Sequence, residues 1–385
     1  MPGSVLSEHR QYLSDEARIS AFRRAIEEIV NPGEVVLDLG SGTGILGLLA
    51  CRAGAGRVYA IEESGMIGLA REVCQANGFQ DRVVFIKGLS TRVELPEKVD
   101  VVVADQIGRL GFEAGVFEYF RDARRRFLKP GGREIPSKIH LWVTPVECPQ
   151  LWEEVEFWNQ SPAGFNFRPA RSWASNSGYA VAFQPEQLLG QPVCGFSVEL
   201  PETNAESWRL DVTVKATRAG CLHGIGGWFS AQLSPRVMMT NSPLSEDRIN
   251  RRNEFFPIDR PVELSEGDNV RIQMHILPSE KIVTWKVEVQ EHGQGRNGAP
   301  PRARFTHSTL RGMLLTKEDL RKSQPQFIPK LTPWGEARRS ILEFCDGYRP
   351  LSEIEEEVYR HHPDLFRSSG EAAAFVAEVI TRYSV

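Results

Sequence analysis

The chain has no cysteine pair at metal-ligand spacing, no long apolar run and almost no net charge, and each absence removes a class of function. Its six cysteines, Cys51, Cys74, Cys148, Cys194, Cys221 and Cys345, stand apart with no CxxC. That argues against a zinc knuckle, any other metal site of this kind and a disulfide scaffold, and predicts reduced core thiols in a cytoplasmic protein. Nowhere do about 18 apolar residues run together, and the opening MPGSVLSEHRQYLSDEAR is polar, so neither a membrane span nor a signal peptide is expected. Forty-six basic residues against 50 acidic leave a formal charge of −4, too little for an overall field that gathers nucleic acid or a membrane surface.

What is present is alternation of strands and helices in the first third, in a chain whose 385 residues suffice for two or three domains. DEARISAFRRAIEEIV places Ile19, Phe22, Ile26 and Ile29 or Val30 at helical spacing before the stop NPG. A buried strand Val35 to Leu39 follows, then a glycine loop Gly40 to Gly44, a helix to about Arg52 and a strand Val58 to Ile61 that ends at Glu62. A helix from Ile67 to Asn77 and strands Val83 to Ile86 and Val99 to Val103 continue the pattern. This predicts a doubly wound parallel α/β sheet, which binds ligands at the carboxyl ends of its strands.

Gly40, Gly42 and Gly44 let the backbone approach a ligand beside a helix N-terminus, and Glu62, at the end of the next strand, is placed to accept from both hydroxyls of a ribose. A dinucleotide dehydrogenase is the rival reading. The spacing is GxGxG where that class has GxGxxG, and no second nucleotide-binding half is evident.

VVLDLGSGTGILGLLACRAGAGRVYAIE, with the upstream LSDEARISAF and the later FLKPGGREIPSKIHLWVTPVE and HGIGGWFSAQL, resembles the class I S-adenosylmethionine methyltransferases, specifically the protein arginine methyltransferases. The resemblance implies that Arg18 holds the methionyl carboxylate of S-adenosylmethionine, that Gly40 and Gly42 pass beneath its methionyl and ribose parts, and that Glu62 takes the ribose. The candidate cofactor set is His9, Arg18, Asp38, Gly40, Gly42, Thr43, Gly44, Glu62, Glu63, Gly88, Leu89, Ser90 and Asp105. It further implies an antiparallel β-barrel that closes one side of the substrate cleft. Segments such as KIHLWVTPV, WRLDVTVKATRAG, VRIQMHIL and KIVTWKVEV, joined by Pro, Gly and Asn turns, read as its strands. EHGQGRNGAPPRAR reads as a mobile hairpin, and Trp152, Phe157, Trp158, Trp228 and Phe229 read as core. The expected domains are 1–137 for the cofactor, 138–313 for the barrel and 314–385 for a helical module.

The substrate motifs depart from the family's. Arginine methylation in that family uses two glutamates nine residues apart on one loop; here the first position is Asp105, the second is Ala114, and Glu113 stands one residue out of register. The threonine-histidine-tryptophan segment reads Ile249, Asn250, Arg251, and Thr91 replaces the acid that contacts adenine, leaving Ser90 and Thr91 to do that work. The aromatic helix that caps the cofactor is taken as missing, because only eight residues precede His9. Asp105, Glu113 and Arg109 are the candidate catalytic residues. An anionic acceptor needs positioning and desolvation but no strong base, and Arg109, Arg248, Arg251 and Arg252 could attract it. O-methylation of a peptide carboxylate is therefore the favoured expectation. Arginine N-methylation, transfer to another nucleophile and a catalytically inactive cofactor-binding scaffold are the alternatives.

From about Leu314 the pattern turns helical, with helices Glu336 to Phe344, Leu351 to Tyr359 and Glu371 to Tyr383 and with Ser352 as N-cap of the second. ILEFCDGYRPLSEI resembles the small winged-helix modules, related to the pyrroloquinoline quinone peptide chaperone, that bind leader peptides of ribosomally made natural products. It implies a leader-bearing precursor peptide as partner; a structural cap or dimerisation element is the other reading. Residues 159–190 are the candidate dimer arm of a homodimer, although NQSPAGFNFRPARSWASNSG is polar and loop-like.

Overall fold

A computed structural model describes residues 2–200, 206–293, 300–314 and 316–384, with side chains from Val5 onward. The core of the hairpin expected around Gly295 lies outside the described residues. Residues 1–313 and 314–385 form two compact units.

The first unit opens with helices α1 (Pro2–Ser14) and α2 (Glu16–Ile29). Strands β1 (Val35–Leu39), β2 (Arg57–Glu62), β3 (Val83–Lys87), β4 (Val99–Val103) and β5 (Leu128–Ile135) alternate with α3 (Ile45–Ala53), α4 (Met66–Ala76) and α5 (Val116–Arg126). The strands pair in parallel in the order β3-β2-β1-β4-β5. Val36, Leu37, Val58, Val101, Val102 and Val103 are fully buried, as expected of parallel strands covered on both faces. The order reverses between β1 and β4, so a crevice opens where their carboxyl ends diverge. The expected absence of a capping helix is corrected by α1. Its sequence is too polar to announce a helix, and tertiary contacts hold it: the His9 ring lies over Gly42, and Tyr12 stacks on Arg18 with its ring centroid 5.4 Å from the guanidinium carbon.

Strands β6 (Lys138–Val146), β7 (Tyr179–Val181), β8 (Val193–Glu199), β9 (Trp208–Lys215), β10 (Gly220–Ser234), β11 (Val237–Thr240), β12 (Asn253–Leu264), β13 (Asn269–Leu277), β14 (Ile282–Gln290) and β15 (Ala303–Ser308) make the antiparallel barrel. One sheet runs β7-β12-β10-β6-β8 with β11 added on β10, the other β15-β14-β13-β9. Their inner faces share a core that includes Leu141, Val143, Leu210, Phe256, Ile272 and Trp285.

Residue 137 marks no break in packing. Phe229, Ala231 and Leu233 of β10 and Met239 of β11 join Phe22, Ala25 and Ile26 of α2 in one core with the parallel sheet, while Trp228, on the other face of β10, packs with Val146, Phe183 and Phe255. Phe229→Ala should therefore loosen both halves at once, lowering stability by about 3–5 kcal/mol in a urea titration followed by tryptophan fluorescence. Phe157 is not core: it is 42% exposed beside the buried Trp152, because a 3₁₀ turn at Phe157–Asn159 carries it off the buried face of helix Pro149–Glu156.

In the second unit, helices Pro333–Phe344, Leu351–His361 and Ser369–Tyr383 enclose Ile341, Ile354, Val358, Phe366, Val376 and Val379. Ser352 is not a cap. Pro350 is the N-cap, its carbonyl accepting from the N–H groups of Glu353 and Ile354, so Ser352 already lies inside the first turn. Thr332 and Ser368 cap the other two, which begin before the expected residues. No strand occurs among the described residues of this unit. All six thiols are free; Cys51, Cys74 and Cys148 are buried, Cys194 and Cys221 half-buried, and Cys345 is exposed, so the expectation of core thiols fails for the last. Among the described residues no helix is long and apolar enough to cross a membrane, and no cluster of His, Cys, Asp or Glu could hold a metal.

Candidate active site

Strand β4 delivers Asp105 two residues past its end, into the crevice. Asp105 Oδ2 accepts from Arg18 Nε of α2 at 2.5 Å and from Arg251 Nη2 at 2.9 Å, and its Oδ1 accepts from Arg251 Nη1 at 3.2 Å. Burial alone would raise the Asp105 pKa, but Arg251 first and Arg18 next outweigh it and hold the carboxyl below its ordinary value. All three side chains are nearly buried, at 8% exposure for Asp105, 7% for Arg18 and 13% for Arg251.

Three further ties fix these groups. Asp15 caps α2 by accepting from the Arg18 N–H at 3.2 Å through Oδ1, while its Oδ2 accepts from the Asn250 N–H at 2.7 Å, so one carboxylate spans the cofactor helix and the segment before β12. Asn241 donates to the carbonyls of Arg109 and Arg252 at 3.0 and 2.9 Å. Glu113 turns its carboxylate back onto its own loop, accepting from the N–H groups of Arg109, of Leu110 at 3.0 Å and of Phe112 at 3.3 Å. Gly108 and Gly111, at φ +80° and +100°, permit that curl. Arg109 pairs through Nε with Glu254 of β12 at 2.5 Å. Burial raises the Glu254 pKa more than Arg109 lowers it.

The crevice holds a cleft of about 940 Å³ lined by His9, Arg18, Gly40, Gly42, Thr43, Glu62, Asp105, Arg109, Glu113, Arg251 and Arg252. Beside it lies a narrower pocket between Leu39, Ile61 and Tyr119, with Gly40, Glu62, Glu63, Gly88, Leu89 and Ser90 around it. Among the expected site residues, Asp38 and Gly44 line neither. Asp38 lies fully buried beneath the loop, accepting from the Gly47 N–H at 2.8 Å, and Gly44 starts α3. Thr91 is exposed outside the pocket that Ser90 lines, and Arg248 donates to the Pro243 carbonyl at 2.8 Å away from the cleft. Sequence reasoning missed Tyr12, Gln106, Tyr119 and Glu254. Tyr119 had a local signal, since Val116, Phe120 and Ala123 bury one face of α5 and leave it on the flank; Glu254 had none.

These residues fit S-adenosylmethionine. The Arg18 Nη2 has no partner among the described residues, and Ser41 Oγ is buried without one. Glu62 is oriented by the Gly42 N–H at 3.0 Å and the Ser64 N–H at 2.9 Å, one on each oxygen, which leaves each a lone pair for a diol. Gly40 and Gly42 hold φ of +66° and +54°, and a side chain at Gly42 would meet the His9 ring at 2.7 Å.

Asp38 gives the site a pH signature. Burial, helped by the Glu62 charge and opposed by the Gly47 N–H and Arg18, pushes its pKa up to about 7. The folded state then binds a proton that the unfolded chain releases near its ordinary value of 3.8, so stability from this group is present at low pH and lost as pH rises toward 7. Asp38→Asn keeps the Gly47 bond and removes the titration. Its stability relative to the parent should climb by a few kcal/mol between about pH 4 and pH 8 in parallel urea titrations, and a flat difference would show that Asp38 stays ionised throughout.

The chain's relatives agree with this architecture. Residues 23–140 match the family model of ribosomal protein L11 methyltransferase, PrmA, and residues 138–298 match that of the PRMT5 oligomerisation domain. The chain is 32% identical over 282 residues to protein arginine N-methyltransferase 1 of Dictyostelium discoideum, covering 71% of this chain and 82% of that one. It is 28% identical over 291 residues to protein arginine N-methyltransferase 6 of Xenopus laevis, covering 72% and 85%. The fold superposes on the Trypanosoma brucei PRMT1 enzyme-prozyme heterotetrameric complex with AdoHcy (TM-score 0.69, 21% identity, 78% of this chain and 97% of that one). It also superposes on Arabidopsis thaliana protein arginine methyltransferase 10 (TM-score 0.67, 23% identity, 79% and 98%). With a strand-end cleft that fits the cofactor and this similarity along both the parallel sheet and the barrel, the chain belongs to the protein arginine methyltransferase family of S-adenosylmethionine-dependent methyltransferases.

Proposed function

We propose that this enzyme methylates the guanidinium group of arginine in a protein or peptide. One observation supports that acceptor above the others: Asp105 already holds a guanidinium in the cleft, that of Arg251, in a two-pronged grip with both nitrogens on its oxygens. An arginine taking that place would be oriented by the same fork. S-adenosylmethionine supplies a methyl group on a positively charged sulfur. Asp105, held ionised by Arg251 and then Arg18, would fix the acceptor's charge distribution and take the proton that the methylated nitrogen sheds. Glu113 shapes the loop, since its oxygens are engaged by backbone N–H groups.

O-methylation of a carboxylate, the sequence expectation, is the second reading, favoured by Arg109, Arg251 and Arg252 lining the same cleft. Alkali separates them. Methyl groups transferred to an arginine-containing peptide should survive mild base as methylarginine, whereas release as methanol would show an ester and overturn the arginine reading. Absence of any transfer with cofactor bound would favour the scaffold.

The sequence resemblance of ILEFCDGYRPLSEI supports a finer role for residues 314–385, capture of a precursor peptide's leader. With no strand among its described residues, the helical unit would hold a peptide against side chains such as the exposed Leu342, Tyr348 and Leu351. A chain ended at residue 313 should then keep its affinity for a short core peptide and lose that for a leader-bearing one. A homodimer is proposed from the relatives' assembly and from Phe157, Phe165, Phe167 and Trp173, all exposed between β6 and β7; sedimentation velocity tests it.

A further inference from the structure

The cleft lining sets Arg18, Arg109, Arg251 and Arg252 against Glu8, Glu62, Asp105 and Glu113, so its charges balance in number, but their pairing is uneven. One carboxylate, Asp105, serves two guanidiniums, Arg18 and Arg251. Next along the chain, Arg252 lines the same cleft, is exposed, and its side chain has no ion-pair or hydrogen-bond partner among the described residues. Arg109 adds a fourth guanidinium, tied to Glu254.

An arginine substrate entering this site must displace Arg251 from Asp105. That exchange swaps one guanidinium for another on the same carboxylate, so it gains little, and it leaves Arg251, which is 13% exposed, without its partner in a poorly solvated place. A substrate carboxylate changes the balance, because it offers the displaced Arg251 a new counter-ion and gives Arg252 a first one. A carboxylate without an arginine would leave Arg251 on Asp105.

We propose that the acceptor of this enzyme is an arginine flanked by acidic residues, with Arg252 reading the acid and Arg251 passing from Asp105 to it as the substrate guanidinium takes its place. This rests on the arginine reading above and adds to it the class of sequence that the cleft selects. Arg252 is then a specificity-determining residue. Arg251 is an occupant that excludes arginines in neutral or basic surroundings.

The test is binding, read without turnover. Full-length protein saturated with S-adenosylhomocysteine is titrated with three fluorescent peptides, each with one central arginine flanked by glutamates, by glutamines or by lysines, and followed by anisotropy. The glutamate peptide should bind about tenfold tighter than the glutamine one, with the lysine peptide weakest. Arg252→Glu, a change at an exposed position, should reverse the order of the glutamate and lysine peptides. Arg251→Gln should tighten the glutamine peptide and narrow its gap to the glutamate one. Replacing the central arginine by citrulline should weaken the glutamate peptide in the parent protein. Equal binding of the glutamate and lysine peptides, or an order that survives Arg252→Glu, overturns the flanking-acid inference and leaves the arginine reading intact. In a separate incubation with S-adenosylmethionine in place of S-adenosylhomocysteine, a base-labile methyl on the glutamates of the tightly bound peptide overturns both.

Discussion

Asp105→Ala is expected to lower the stability of the first unit by about 3–5 kcal/mol and to abolish methyl transfer. The carboxylate is the shared counter-ion of Arg18 and Arg251, both nearly buried, and its loss leaves two desolvated guanidiniums facing each other. The cost comes from the charges left behind more than from the bond removed. Arg251→Ala added to Asp105→Ala should therefore recover part of the loss, which a double-mutant cycle in urea would measure as a favourable coupling. The pH dependence has a definite sign. Because the folded pKa lies below the ordinary 3.8, the stabilisation is complete above that value and is lost as pH falls through the lower folded one. A change below about 0.5 kcal/mol, the range of an ordinary surface position, would contradict the buried triad.

Glu62→Ala should weaken S-adenosylhomocysteine by roughly 100-fold or more, measured by calorimetry. Hydrogen bonds to a charged group contribute about 1.5–3 kcal/mol each, and a ribose offers two hydroxyls. The substitution also removes the acceptor of the Gly42 and Ser64 N–H groups, so the glycine loop loses its support along with the ligand its contact. Glu62→Gln, which keeps the shape without the charge, should fall between. A dissociation constant within about threefold of the parent would place the ribose elsewhere.

Much of the cofactor half was legible because its signals are local. Val35–Leu39 and Val99–Val103 are short apolar runs bounded by turn residues, and both are strands with those limits. Glu62 ends β2, where the strand reading put it, and its carboxylate accepts from the Gly42 N–H. The acceptor half resisted because its decisive pairs are remote: Arg251 is 146 positions from Asp105, and Glu254 is 145 from Arg109. Periodicity says nothing at such separations. Four arginines appeared as one anion-attracting cluster, whereas the fold sends each to a different errand: Arg251 to Asp105, Arg109 to Glu254, Arg248 to a carbonyl away from the cleft, and Arg252 into the cleft with no side-chain partner among the described residues. Helix α1 escaped notice because its first turns carry few apolar residues, and the His9 ring rests over Gly42, remote in the sequence.

The two oxygens of Asp15 divide their attention between the first turn of α2 and the backbone of Asn250. The helix that presents Arg18 and the segment that presents Arg251 and Arg252 thus answer to one hinge pin. To whatever extent a ligand shifts the first, the shared carboxylate passes the shift to the second, and thermodynamics makes the coupling mutual: the factor by which bound cofactor alters peptide affinity is the factor by which bound peptide alters the cofactor's.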